Sequence, residues 1–203
     1  MIGILDYGVG NVAAFFTIYE RLNINAVIIS SPDEMQNVKK LILPGVGSFD
    51  ESMLKLEQSG MKILLDKMVL KEKIPLMGVC VGMQMLANKS EEGEKKGLGY
   101  IDGCVVNLKN KIDSSKCIPH MGWNNILANE NETIWNNIDL DLGFYFLHSF
   151  YFETSNPHNS IASVEYDKEI TCAVKKENIY GFQFHPEKSQ INGIQLLKNF
   201  SIL

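Results

Sequence analysis

The segment "GVCVGMQML" places Cys80 between Gly78 and Gly82, after the apolar run "IPLM" and ahead of a helix-compatible run. G-x-C-x-G between a strand and a helix has the spacing of a nucleophile elbow. The sharp turn puts the central residue in a strained backbone region, and side chains two positions away would collide, hence glycine at 78 and 82. Cys80 then sits at a helix N-terminus, whose dipole and free N–H groups favour thiolate over thiol. The N–H of Val81 is free to donate to a developing oxyanion. A buried packing cysteine beside two helix-packing glycines satisfies the same local pattern. The elbow therefore needs a base elsewhere in the chain.

A cysteine nucleophile takes its proton acceptor from an imidazole, which in turn needs an orienting group. Of the four histidines, His158 in "SNPHNS" reads as an exposed turn, His120 lies in "PHMGWN" and His148 in "FLHSFYF". Only His185, in "GFQFHPEKS", has a carboxylate two residues on, Glu187. In extended chain such a pair faces one side, roughly 6–7 Å apart, with one ring nitrogen left for a thiol. Pro186 ends the strand and sets the bend. H-P-E alone also fits a surface pair at a strand end, so the elbow and the pair gain weight together.

Two glycine loops invite a nucleotide reading. Gly8-Val9-Gly10-Asn11-Val12-Ala13 fits the dinucleotide fingerprint, with Asp33 about 20 residues beyond. Asp6 at the strand end would repel a pyrophosphate, however, and Asp33 follows Pro32, after the next strand has closed. A tight turn between strand and helix explains the pattern better. "LPGVGSF" lacks the G-K-[ST] of a phosphate loop, but its glycine-rich backbone, Gly45-Val46-Gly47, can present N–H groups to an anion.

These motifs need a scaffold. "IGILDY", "NAVIIS", "KKLILPGVG" and "IPLMGVC" read as strands alternating with helical segments: "NVAAFFTIYERL", residues 49–70 with a break at Ser59-Gly60, and a helix opening at "GMQMLANKS". That rhythm predicts a parallel sheet. After the charged, glycine-rich loop "EEGEKKGLG", the segments "YIDGCVVNL", "FYFLHSFYF", "NSIASVEY", "EITCAVKK" and "NIYGFQF" read as short strands, and residues 192–200 as a closing helix. The expected fold class is α/β, a mostly parallel open sheet with helices on both faces, extended by antiparallel strands in the C-terminal half. The 203 residues are expected to form one domain, 1–203.

Composition is that of a globular protein, 45% hydrophobic and 21% charged. The net charge, 19 − 24 = −5, and the absence of a Lys/Arg run argue against nucleic acid as a partner. No stretch has the ~20 apolar residues of a membrane helix, and the N-terminus lacks a basic region ahead of a long apolar one. Cys80, Cys104, Cys117 and Cys172 are scattered, with neither metal-ligand nor disulfide spacing. A reduced, cytoplasmic protein without metal or cofactor is expected.

With these motifs in order, the chain resembles the class I (triad) glutamine amidotransferases over essentially its whole length. "LPGVGSF", "GVCVGMQML" and "GFQFHPEKS" match the oxyanion strand, elbow and His/Glu pair. "DYGVGN", "PHMGWN" and "FLHSF" are similar to the glutaminase subunits of imidazole glycerol phosphate synthases. The resemblance implies a glutaminase, with Cys80 attacking the glutamine amide, His185 relaying the proton and Glu187 orienting it. It implies oxyanion donors from Val81 and from Val46 or Gly47, and substrate contacts from Gly45, Gln84, Ser149 and Phe150. It further implies ammonia transfer to a (β/α)8 cyclase in a heterodimer for histidine biosynthesis, docked near Asn11, His120, Trp123, Tyr145 and Lys188. Trp123 at an interface agrees with the preference of tryptophan for such sites, though packing inside the domain would also suit it. Val81 stands where leucine is more usual, Phe150 where tyrosine is frequent and Asp102 where proline is common. A paralogue feeding a different synthase, such as one amidating a surface sugar, fits the same residues. Two other readings compete: a different cysteine hydrolase on this scaffold, and a nucleotide-binding module using Gly8-Val9-Gly10.

Overall fold

The computed structural model describes residues 1–113 and 116–203. Four apolar runs form parallel strands: β1 (Ile2–Leu5), β2 (Ala26–Ile29), β3 (Lys40–Gly45) and β4 (Leu76–Cys80). The residues of β1 and β4 are buried throughout, and those of β3 from Leu41 onward. That is why these runs read as continuous hydrophobic segments rather than alternating ones. Helix α1 (Val12–Arg21) follows β1 and is capped by the Asn11 side chain, which accepts from Ala14 N. Helices α2 (Phe49–Gln58) and α3 (Met61–Asp66) connect β3 to β4. They are separated at Gly60, whose φ of 75° breaks the helix as expected. A wide π turn, Lys67–Lys71, follows α3.

The helix expected after Cys80 is only one turn, α4 (Val81–Gln84). The chain leaves it at Met85 for the two-residue strand β5 (Lys89–Ser90). The remaining strands are β6 (Gly103–Asn107), β7 (His120–Asn124), β8 (Ile126–Ala128), β9 (Phe144–His148), β10 (Phe150–Thr154), β11 (Ser160–Tyr166), β12 (Lys168–Lys176) and β13 (Ile179–Phe182). Helix α5 (Gln190–Ile202) closes the chain.

The main sheet has the order β2-β1-β3-β4-β13-β12-β11-β8. Strand β13 lies parallel to β4, and β12, β11 and β8 extend the sheet antiparallel. This is the expected α/β class, with one rearrangement. "FYFLHSFYF" breaks at Ser149 into β9 and β10, which join different sheets. Strand β10 pairs with β6 beside β5, while β9 pairs with β7. The segment "PHMGWN" holds strand β7, with His120 opposite His148 and Trp123 opposite Tyr145. Among the described residues, no helix is long and apolar enough to cross a membrane.

The carboxyl ends of β3 and β4 meet, with Gly45 opposite Cys80. Ligands of open α/β sheets bind at this edge, where strand order reverses, as it does here between β1 and β3.

Candidate active site

Cys80 has φ 55° and ψ −114°, a region a non-glycine residue rarely adopts. The backbones of β3, β4 and α4 are pressed together around it. A Cβ on Gly78 would lie 2.5 Å from the Gly82 carbonyl oxygen, and one on Gly82 would overlap the Leu43 carbonyl. A Cβ on Gly45 would lie 2.8 Å from the Val81 carbonyl carbon. The glycines expected from collision arguments are therefore needed twice over, for the turn and for contact between the elbow and β3. The same holds for Gly10, at φ 93°, where a Cβ would meet Pro44 at 2.7 Å. The Gly8-Val9-Gly10 turn is thus spent on approach to β3, and Gly8 O accepts from Lys55 Nζ at 3.1 Å.

His185 follows β13 and heads a 3₁₀ turn, Pro186–Lys188. Its Nδ1 meets Glu187 Oε1 at 2.8 Å, and its ring lines the same cavity as the Cys80 sulfur. The pair is joined through a turn, not through extended chain as the sequence spacing suggested, because Pro186 starts the 3₁₀ turn directly after His185. Burial by itself would lower the His185 imidazole. The neighbouring Cys80 sulfur and the hydrogen-bonded Glu187 carboxylate outweigh burial and push it up to about 10. Among the described residues, Glu187 Oε2 is buried without a protein partner, so His185 is the chief compensation for that carboxylate.

Cys80 and His185 face a cavity of ≈ 350 Å³. Val46, Gly47 and Val81 line it on the side of β3 and the elbow; Gln84, Ser149 and Phe150 also line it. Gly45 does not line it but packs behind, against Val81. The Ser149 and Phe150 carbonyls are already occupied, the first by Leu108 N at 3.0 Å, the second by His148 Nδ1 and Gln84 Nε2. The Phe150 carbonyl thus has both lone pairs committed, while the Ser149 carbonyl keeps one free. Glu92, from the charged loop, also lines the cavity and accepts from Phe49 N at 2.8 Å. Nothing local to "EEGEKKGLG" distinguishes Glu92 from its acidic neighbours, so sequence reasoning had no signal for it.

The residues expected at a docking face separate into two groups. Trp123 packs edge-to-face against Tyr145, with ring centroids 6.3 Å apart, and Lys188 Nζ lies 5.6 Å from the Tyr145 ring centre. Trp123 is 45% exposed, and Met121, Leu147 and Val46 add further exposed apolar surface. Val46, Leu147 and Lys188 also line the cavity, so this surface runs into its mouth. Asn11 is exposed and caps α1, which packs on the Pro186–Lys188 turn. His120, by contrast, is fully buried and lies behind this face rather than on it.

His120 Nδ1 meets His148 Nε2 at 2.9 Å, and Asn124 Nδ2 meets His120 Nε2 at 2.5 Å. With His148 Nδ1–H donating to Phe150 O at 2.8 Å, the chain closes only with both rings neutral and protonated on Nδ1. Burial, then the charge of Lys116, lowers His120 to about 4; burial, then His120 itself, lowers His148 to about 3. In the unfolded chain both rings gain protons near pH 6.5. Their contribution to stability is therefore complete above that pH and declines as pH falls towards 4. His185 runs the opposite way: its contribution is present below pH 6.5 and lost as pH rises through about 10. We expect unfolding free energy to fall by about 2 kcal/mol per ring of the His120–His148 pair between pH 7 and pH 5. Urea midpoints measured at the two pH values check this; equal midpoints would remove the neutral pair.

Comparisons with known proteins agree with this geometry. The family model for class-I glutamine amidotransferases matches residues 4–203. The chain is 49% identical to the imidazole glycerol phosphate synthase subunit HisH of Bdellovibrio bacteriovorus, covering 99% of each chain. It is 48% identical to the subunit of that name from Leptospira borgpetersenii, covering 100% of each. Among solved structures, the fold is similar to that of a glutamine amidotransferase at TM-score 0.73 and 19% identity, covering 98% of this chain and 96% of that one. The structure of PurLQS from Thermotoga maritima matches at TM-score 0.74 and 16% identity, covering 98% and 96%. With a family model spanning nearly its whole length and relatives close to half identical, the chain belongs to the class-I glutamine amidotransferases.

Proposed function

We propose that the protein is the glutaminase subunit of a cytoplasmic imidazole glycerol phosphate synthase, folded as one domain and working with a (β/α)8 cyclase in a heterodimer. The observation that carries the chemistry is Cys80, strained at the carboxyl end of β4, sharing its cavity with an imidazole that Glu187 holds at 2.8 Å. The names of the HisH relatives support the pathway.

Glutamine enters the cavity with its side-chain amide at Cys80. The sulfur lone pair attacks the amide carbon, and the carbonyl electrons move to oxygen. The Val81 N–H and a backbone N–H of Val46 or Gly47 hold that oxyanion. His185 delivers the proton taken from the thiol to the leaving nitrogen, the C–N bond breaks, and ammonia departs, leaving a thioester. Water, deprotonated by His185, attacks the thioester. The C–S bond then breaks, returning its electron pair to sulfur and releasing glutamate. Glu187 orients the imidazole throughout. Gln84 spends both amide hydrogens inside the protein, on Phe150 O and Gln183 Oε1, so it meets substrate through its carbonyl oxygen.

Glu92 supplies a carboxylate opposite the substrate's α-ammonium. Glu92→Gln is expected to raise KM for glutamine roughly tenfold or more with little change in kcat, since a charge-assisted hydrogen bond contributes about 1.5–3 kcal/mol. Steady-state kinetics decide: an unchanged KM removes Glu92 from the binding set.

The exposed apolar surface around Trp123 and Leu147 reaches the cavity mouth, and a partner seated there would pass ammonia from one site to the next. The deciding experiment measures glutamate release with and without a (β/α)8 cyclase. Stimulation of roughly tenfold or more is the expected result. Stimulation only by a sugar-amidating synthase would reassign the pathway to the paralogue, and ammonia release indifferent to either partner would remove the coupling.

A further inference from the structure

The Phe150 carbonyl orders the groups behind the nucleophile. It accepts from His148 Nδ1 at 2.8 Å and from Gln84 Nε2 at 3.1 Å. A carbonyl only accepts, so Gln84 must turn its NH2 towards it. The same NH2 reaches Gln183 Oε1 at 3.0 Å. Gln183, with its oxygen committed there, must present its own NH2 on the other side, where Nε2 lies 3.8 Å from Cys80 Sγ. The two amide orientations are thereby set by one backbone oxygen. Gln183 is fully buried, and its backbone is tied down by a 2.8 Å bond from its N–H to Cys172 O. The sulfur also lies 4.0 Å from Leu147 O, which can accept only from a thiol S–H.

We propose that Gln183 is a further catalytic residue of this site: its amide N–H donates to the Cys80 sulfur and stabilises the thiolate, while Gln84 and the Phe150 carbonyl are positioning groups that keep it a donor. A donor to the charged form favours that form, and the stabilisation is greatest when the charge is on sulfur. That occurs before attack on the amide and again when the C–S bond of the thioester breaks and its electron pair returns to sulfur. The inference rests on the reading of Cys80 as the nucleophile.

The titratable groups around the sulfur are His185 with Glu187, Tyr7 from beyond β1, and His148, Glu92 and Lys188 on the cavity wall. A test must therefore change Gln183 alone. Gln183→Met keeps the volume and removes the donor; Gln183→Glu substitutes a carboxylate. The readout is the pH dependence of Cys80 alkylation by iodoacetamide, followed by mass spectrometry. The midpoint is expected to rise by about one pH unit in Gln183→Met, a roughly tenfold slower reaction below the midpoint, and further in Gln183→Glu. A packing role alone would lower the melting temperature and leave the midpoint in place. A folded Gln183→Met protein with an unshifted midpoint overturns the proposal.

Should both variants fail to fold, the unsubstituted protein answers by nitrogen-15 NMR. One glutamine side-chain amide pair must shift with the alkylation midpoint and respond when Cys80 is capped; if none does, the proposal is overturned. If iodoacetamide shows no preference for Cys80 over Cys104, Cys117 and Cys172, the nucleophile reading itself falls. Preference for Cys80 with an unshifted midpoint in the variants sinks only the role of Gln183.

Discussion

Replacing Cys80 by alanine or by glycine is expected to lower glutamine turnover by about four orders of magnitude or more, with the glycine variant the more stable of the two. The first effect follows from chemistry. Under the proposed mechanism, no thioester forms without the sulfur, and the His185–Glu187 pair has no nucleophile to serve. The second follows from φ 55° and ψ −114° at Cys80. At an ordinary position alanine is favoured over glycine by roughly 0.5–1 kcal/mol, because glycine loses more backbone freedom on folding. Here a Cβ of any kind carries strain on the order of 1–3 kcal/mol, and glycine removes it. The order should therefore reverse, with Cys80→Gly about 1 kcal/mol more stable than Cys80→Ala. Chemical denaturation of the two variants provides the check. An alanine variant as stable as the glycine one would mean that the elbow is not strained. His185 should respond as well. The neighbouring sulfur is the largest influence raising it, so its titration should fall in either variant. Proton NMR of the imidazole would report this.

Gly82→Ala is expected to destabilise the protein by about 3 kcal/mol or more, although it adds only one methyl group. The added carbon would overlap the Leu43 carbonyl and lie within 3.2 Å of the Pro44 carbonyl carbon, both backbone atoms of β3. A flexible side chain could move aside, but a strand hydrogen-bonded on both edges, to β1 and β4, cannot. The same shift would push Pro44-Gly45 away from the elbow, and with it the Val46 and Gly47 amides at the cavity. A further link carries this into function: Tyr7 donates its hydroxyl hydrogen to Pro44 O at 2.5 Å, holding β3 from the other side. Gly82→Ala should therefore lower both the denaturation midpoint and the glutaminase rate. A variant with native stability would show that β3 and α4 are not in contact through this glycine.

The elbow, the parallel strands and the His185–Glu187 pair were legible because each depends on neighbours a few residues away. Gly78 and Gly82 mark a turn by themselves, the buried strands show as apolar runs, and Pro186 announces the end of a strand. The break of "FYFLHSFYF" at Ser149 was not legible, since both halves have strand composition and only their partners, β7 and β6, separate them. The same limit hid the burial of His120. Its stacking on Tyr166, at 4.0 Å between ring centres, and its bond to His148 join residues far apart in the chain.

By itself, then, the sequence determined which residues could act: a cysteine at a glycine-flanked turn, an imidazole with its carboxylate, and a strand rich in backbone donors. Local sterics and short-range spacing suffice for that. Only the tertiary structure decided what surrounds the sulfur. It brought Glu92 to the cavity, withdrew His120 from the surface, and turned the Gln183 amide towards Cys80. Those arrangements arise from hydrogen bonds between residues as much as 103 positions apart, and the Phe150 carbonyl, which can only accept, orders the His148 and Gln183 side chains.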